Sequence, residues 1–559
     1  MLHNRNDTVE MVRSHYESDE NHARDRFRKE NAVGALIVVI FSALICAPYW
    51  RSLFWLSDEG VLLHGAERML QGERLYGDFF EFLPPGGFVL TATWFLMAGF
   101  SFLSVRLLAI LTIVLIAVIV YLVSMDISRN ARLSSFFVIW WVVISQGHWT
   151  IVHYHWFATL FSMVALWAVM KSVDRASHSA AWPFLAGLAA GASAMMVETC
   201  GTWAMLAASA AFLWPRGQRS LLGFYLLGCV TVPLMLLLYL ASINSISDAF
   251  DDIILWTSMH YSSIQIVHFG AGVGPMTFPL ALFFPTAAVL WTMAFRGRWR
   301  WLLQDKKILV CGAYAIAGFA GSFPRPDVDH IAFNVPLGLP IFTYCAVRVR
   351  KRFPIRSRMI SGTAGVLAFL FVGVPVLMAE FQAVVALKAP VVTTPRGPVA
   401  LVRPPGPDVL TGLGEIIQRI GQTPQDGRFY FFPSDSTLSF LSARKDISPV
   451  DYVVPYYTTP SQYRTVCRSV MESASWAVID RRLSDPAFLH MIYPAMPLSQ
   501  PNETKRFAAA LTAGFDLVAV AGNFELRSRN AERANDTLCA GIAANAGSPR
   551  RTIRSERDE

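Results

Sequence analysis

Apolar runs recur through the first two thirds of this chain, at roughly 32–50, 106–124, 134–147, 155–170, 182–197, 200–214, 221–242, 276–295, 308–323, 331–347 and 359–381. An α-helix crosses a bilayer in ~20 apolar residues, and shorter runs suit helices packed inside a bundle. The pattern predicts a polytopic α-helical membrane protein of about 11 transmembrane helices. Segment 87–103 is as apolar as these runs, yet charge placement argues against counting it. With the amino terminus inside and 87–103 omitted, Arg129/Arg132, Lys171/Arg175, Arg216/Arg219 and the basic runs at 296–307 and 348–358 all fall on the inner side. Counting 87–103 as a span would invert every later loop. It is therefore read as a juxtamembrane or re-entrant helix of the outer loop, introduced by Pro84-Pro85-Gly86-Gly87.

Beyond the last run the pattern changes. Strand-like runs at 428–432, 476–480 and 517–521, separated by helix-like stretches at 462–471 and 504–512, predict a C-terminal soluble α/β domain. The expected organisation is a cytosolic charged tail at 1–31, a transmembrane module at 32–381 with an outer loop at 51–105, and a Pro- and Val-rich linker at 382–404. An extracytoplasmic domain at 405–530 and a disordered tail at 531–559 complete it.

Composition sharpens this picture. The 559 residues are 54% hydrophobic and 16% charged, which fits repeated membrane spans better than one soluble core. The net charge of +8 resides in short clusters between apolar runs, so it reads as a topology signal and not as a nucleic-acid surface. Of seven cysteines, five lie in or beside apolar segments without metal-type spacing, leaving Cys467 and Cys539 as candidates for an external disulfide.

This topology sends the conspicuous polar groups to the outer side. The first outer loop carries Asp58-Glu59, then Glu67, Arg68, Glu73, Arg74 and Asp78. Adjacent carboxylates at a membrane surface suit a general base, while Ser57-Asp58-Glu59 is also an ordinary helix start. The crowding of acids and arginines behind them favours a substrate site. Arg106 opens a span from the outside and suits a phosphate, with snorkelling the plain alternative. His148, His153 and His155 share a short loop with Trp149 and Tyr154, a mixture suited to an interface or a sugar wall. Their spacing matches no dedicated metal motif, and a divalent cation stays an open alternative. Glu198 lies between two apolar runs, and the outer loop 243–275 adds Asp248, Asp251, Asp252, His260 and Tyr261 without Lys or Arg. The turn Pro324-Arg325-Pro326-Asp327-Val328-Asp329-His330 presents Arg325 and His330 as further phosphate partners, or else pairs Arg325 with Asp327 as a rigid turn.

The segments Asp58-Glu59-Gly60, Gly72-Glu73-Arg74-Leu75-Tyr76-Gly77-Asp78-Phe79 and Pro84-Pro85-Gly86, followed by Arg106, resemble the first outer loop of C-type superfamily membrane glycosyltransferases. The likeness is to bacterial relatives of protein O-mannosyltransferases and aminoarabinose transferases. The turn from Arg325 to His330 resembles a later loop of the same family. Leu83, where many relatives have a basic residue, and His155, where many have an acid, depart from its pattern.

The resemblance implies a polyprenyl-phosphate-linked sugar as donor, an acceptor on the outer face and inverting transfer in one step. It places Asp58, with Glu59 beside it, at the catalytic position and Arg106 at the family's arginine. Arg325 and His330 are expected at the donor phosphate, and Glu67, Arg74, Asp78, His153, His155, Glu198, Tyr261 and Asp327 around the substrates. The expected location is a bacterial inner membrane, with membrane lipid as partner and the acceptor a glycan, lipid or protein. The rival class is a transporter or flippase for a lipid-linked glycan, for which the inner halves of the spans carry few ionisable groups.

Overall fold

The computed structural model describes residues 25, 27–54, 57–174, 179–213, 219–261, 265–296, 305–353, 366–367, 369–402, 412–433, 435–451, 453–499 and 501–542, with the side chains of Ser57 and His148 excepted. Arg175, Arg216, the stretches 297–304 and 354–358 of the basic runs, most of the charged amino-terminal tail and the end beyond 542 lie outside the described residues. Two compact units result. One comprises Met1–Trp50, Arg106–Met235 and His268–Leu387, the other Arg51–Val105, Leu236–Val267 and Lys388–Glu559.

The first unit is helical. Among the described residues of the whole chain, five helices are long and apolar enough to cross a membrane: Phe27–Tyr49, Phe102–Ser128, Arg219–Ser242, Val328–Arg352 and Phe369–Lys388. Shorter helices, among them Ala131–Gln146, Tyr154–Ser172, Ala181–Met196, Glu198–Leu213, Phe283–Phe295 and Lys306–Gly321, fill the bundle. Val328–Arg352 is its centre, with 89% of its most apolar window buried, against 17% for Arg219–Ser242. The latter leaves Leu226, Leu227, Val230 and Met235 exposed, an apolar face suited to lipid.

Close helix crossings depend on glycine. A Cβ at Gly187 would strike the backbone of Tyr225, and one at Gly191 would meet the Cys229 carbonyl at 2.6 Å. Small residues four apart thus let Ala181–Met196 and Arg219–Ser242 approach backbone to backbone. Lys307 Nζ lies 2.8 Å from Asp126 and 3.3 Å from Asp174. These pairs gather the carboxyl end of Phe102–Ser128, the stretch after Tyr154–Ser172 and the start of Lys306–Gly321 at one end of the bundle.

The second unit is built on two sheets. In the smaller, β1 (Ser52–Leu53) pairs in parallel with β3 (Gly397–Leu401), which forms an antiparallel hairpin with β2 (Val391–Thr394). The stretch expected as a linker at 382–404 is therefore helix as far as Lys388 and then this hairpin. Its apolar Val391-Val392 and Val399-Ala400 flank a turn at Gly397, whose φ of +109° suits glycine. In the larger sheet β4 (Phe429–Phe432) lies parallel to β5 (Trp476–Asp480), and β7 (Phe524–Arg529) runs antiparallel between β5 and β6 (Phe515–Ala521). The helix Pro460–Ser473 starts with a full capping box, Thr459 and Gln462, and Pro460 at its first position. Residues expected in a disordered tail include the short helix Asp536–Cys539, and Cys539 forms a disulfide with Cys467.

The apolar helix Gly86–Ala98 belongs to this second unit, not to the helical one. So does the distorted helix Phe250–Tyr261, whose backbone is wound as a π-helix.

Candidate active site

In the second unit, the helix Ser57–Leu70 carries the paired carboxylates in its first turn, where the helix dipole favours negative charge. Asp58 is half-buried, whereas Glu59 is 2% exposed, so the two acids face different surroundings. Gly60 fixes where this turn sits. A Cβ there would collide with Thr437 on the helix Ser436–Ser442, so glycine permits contact between the two helices.

One helical turn apart, His64 and Arg68 share a face and both meet Asp451. Arg68 Nη1 donates to Asp451 Oδ1 at 2.8 Å and to the Ser448 carbonyl at 2.8 Å, while Nε donates to Glu73 at 2.7 Å. His64 Nδ1 lies 3.1 Å from the other Asp451 oxygen. Burial alone would raise the Asp451 carboxyl, but Arg68 and His64 outweigh it and hold the group below the usual carboxylate range. Lys445 also pairs with Glu73, and Arg68 stacks over the Phe79 ring.

These contacts revise the meaning of the charge-crowded loop. Glu67 pairs with Arg396, and Arg74 pairs with Asp78 at 2.7 Å one turn away. Of the three residues expected around substrate, Glu67 is thus engaged by the hairpin expected as linker, and Arg74 and Asp78 by each other. Tyr261 lies at the edge of an aromatic group, 6.1 Å from the Phe82 ring.

Sequence reading passed over Glu81. It is 2% exposed, and burial, with Asp451 adding to it, raises its carboxyl well above the usual range despite Arg68. Asp252 and Asp58 push in the same direction. The available signal was an acid set among Phe79, Phe80, Phe82 and Leu83. Asp451 and Asp446 carried no comparable signal, because their partners lie far off in sequence.

In the first unit, the turn before Val328–Arg352 gathers several predicted groups. Asp327 caps that helix, accepting from the His330 backbone N–H at 2.9 Å. The same carboxylate lies 2.7 Å from His330 Nδ1 and accepts from Arg325 Nε at 2.7 Å. Burial would raise Asp327, but His330 and Arg325 dominate and hold it far below its ordinary value. Arg325 thus pairs with Asp327, as the rigid-turn reading expects, and the same carboxylate engages His330.

His155 packs edge-on to His330 at 4.9 Å and lies flat on Phe333 at 4.9 Å, with His153 stacked on the same ring. Trp149 donates to Asp329 at 2.5 Å. Arg106 is fully buried in its helix, so it does not snorkel. Glu198 is exposed at the start of Glu198–Leu213, and among the described residues no ion pair joins it to the histidines. No three His, Cys, Asp or Glu side chains among the described residues converge as a metal site. A cavity of about 690 Å³ between Glu198–Leu213, Phe283–Phe295 and Lys306–Gly321 is lined by apolar groups such as Ala211, Phe284 and Trp291. Lys306 is the one ionisable residue in its lining.

The sequence matches no family model and no curated protein. The structure is similar to ArnT from Cupriavidus metallidurans bound to undecaprenyl phosphate, with a TM-score of 0.55 and 16% identity over 90% of this chain and 97% of that one. It is similar to the same protein in the apo state, with a TM-score of 0.54 and 16% identity over 90% of this chain and 99% of that one. The oligosaccharyltransferase of Archaeoglobus fulgidus aligns less well, with a TM-score of 0.44 and 12% identity over 88% of this chain and 73% of that one. At 16% identity over nearly the whole of both chains, this likeness shows a fold shared with ArnT.

Proposed function

We propose that this chain is a glycosyltransferase that moves a sugar from a polyprenyl-phosphate carrier to an acceptor at the outer face of a bacterial inner membrane. The observation that carries the reading is the likeness to ArnT along 90% of the chain, because that protein was solved with undecaprenyl phosphate bound. The proposed topology has eleven spans, a cytoplasmic amino terminus and both sheets outside. The Cys467–Cys539 disulfide supports that side, since such bonds persist in oxidising compartments.

The chemistry assigned is a single inverting displacement. Asp58 takes the proton from the acceptor hydroxyl, whose oxygen forms the new bond to the anomeric carbon. The bond from that carbon to the carrier phosphate breaks, and the phosphate leaves with the electron pair. Arg325 and His330 are assigned to the departing anion, with Arg106 adding positive charge from within the helices. Because His330 Nδ1 is engaged by Asp327, its Nε2 is the ring atom directed to a ligand. Glu59, buried beside Asp58, is a positioning residue in this reading.

Native mass spectrometry of the purified protein tests it. A bound polyprenyl phosphate, lost in Arg325→Ala, is the expected result. A protein that carries no such lipid and does not bind added undecaprenyl phosphate contradicts the reading.

A further inference from the structure

Glu81 and Trp256 are two buried polar side chains of the second unit. Each is almost wholly buried, at 2% and 7% exposure, and no protein group bonds to Glu81 Oε1 or Trp256 Nε1 among the described residues. A buried polar atom without a partner is destabilising, so two in one neighbourhood call for a reason.

They do share a neighbourhood. Phe80 and Phe82, on either side of Glu81, both pack on the Trp256 ring, at 5.1 and 5.4 Å between centroids. Asp252 is the other buried residue of the helix Phe250–Tyr261, one turn before Trp256, and its charge acts on Glu81 together with that of Asp58. Tyr457 closes against Trp256 at 4.6 Å. π-helical turns of this kind occur often at functional sites.

We propose that Glu81 and Trp256 are the polar contacts of a sugar-ring subsite, in which the aromatic wall covers the ring face and these two atoms bind its hydroxyls. An uncharged ring with several hydroxyls fits this chemistry. Its apolar face stacks on an aromatic surface, and its hydroxyls both donate and accept. Burial together with the acids around it favours the protonated form of Glu81, which then donates as well as accepts. Phosphate is excluded, since the nearby carboxylates would repel it. The inference rests on the glycosyl-transfer reading and adds the part of the substrate that the second unit recognises.

The test uses detergent-solubilised full-length protein and a set of neutral methyl glycosides (mannoside, glucoside, galactoside, arabinoside), read by saturation-transfer NMR. At least one glycoside is expected to receive saturation from the wild type. Trp256→Phe keeps an aromatic ring in the wall while removing the N–H, and it is expected to weaken binding about tenfold or more, the effect of at least one hydrogen bond. Glu81→Leu is expected to weaken it similarly while raising the melting temperature, because it removes a buried acid without a partner. Glu81→Gln, which still donates and accepts, keeps binding near wild type.

A merely structural Glu81 would move stability and leave glycoside binding alone, and that result overturns the proposal. So does the absence of contact with every glycoside. Undecaprenyl phosphate binding in the same preparation separates the two readings: glycoside binding that these variants weaken, in a protein that ignores the lipid, supports the subsite and defeats only the carrier assignment.

Discussion

Arg68 and Asp451, 383 residues apart, form a buried ion pair at 2.8 Å. It joins the helix that carries Asp58 to the stretch after the helix Ser436–Ser442, and His64 and Glu73 make further contacts to the same pair. The acids and arginines after Asp58 therefore serve first to hold that helix in place.

Removing one partner from such a pair strands the other. Arg68→Ala is expected to destabilise the protein by about 3–5 kcal/mol, read as a lowered melting temperature. Arg74→Ala, which breaks an exposed pair with Asp78, is expected to cost no more than about 1 kcal/mol. Equal losses would show that the buried network does not anchor the helix.

Gly60→Val tests the contact with Thr437. The added side chain has no space, so overpacking of about 1–3 kcal/mol is expected, along with a loss of glycosyl transfer larger than the loss of folded protein. Unchanged transfer in the folded fraction would separate this contact from the positioning of Asp58.

Asp446 gives the second unit a distinctive pH dependence. Burial, with Asp451 adding to it, pushes its carboxyl up to about 7 despite His64 and Arg68. The folded state therefore holds this proton over a range where the unfolded chain has released it. The contribution is complete below the unfolded value near ~4 and is lost as pH rises toward about 7, at up to roughly 1.4 kcal/mol per unit. Asp451, lowered in the fold, has the opposite sign at more acid pH. Chemical denaturation between pH 4.5 and 7 (about the window set by these two values) should show a steeper fall in stability for wild type than for Asp446→Asn.

Reduction of the Cys467–Cys539 bond, which closes a separation of 72 residues, is expected to lower stability by about 2–4 kcal/mol. Melting with and without reductant measures it, and the Cys467→Ala/Cys539→Ala variant should melt like the reduced wild type.

How much of this was legible in the chain depends on the range of the interactions. Local signals worked well: the strands at β4 and β5 and a helix over 462–471 follow from short-range patterns. Charge balance separated 87–103 from the other apolar runs, and its helix does pack with the second unit. The linker failed because Val391–Thr394 and Gly397–Leu401 become strands partly by pairing with Ser52-Leu53, far away in the sequence. β7 was missed because only Phe524 and Leu526 of its residues are apolar, too short an alternation to stand out. In the site, Arg325, Asp327 and His330 were found together because one turn holds them. The pairing of Glu67 with Arg396, 329 residues away, could not be foreseen from spacing.

The most direct measurement is glycosyl transfer by Asp58→Asn, from a polyprenyl-phosphate sugar to the native acceptor, alongside undecaprenyl phosphate binding by the same variant. Loss of a general base should cut transfer by about 10²–10⁴-fold while folding and lipid binding remain near wild type. Transfer at the wild-type rate would contradict the role given to this carboxylate and, with it, the mechanism.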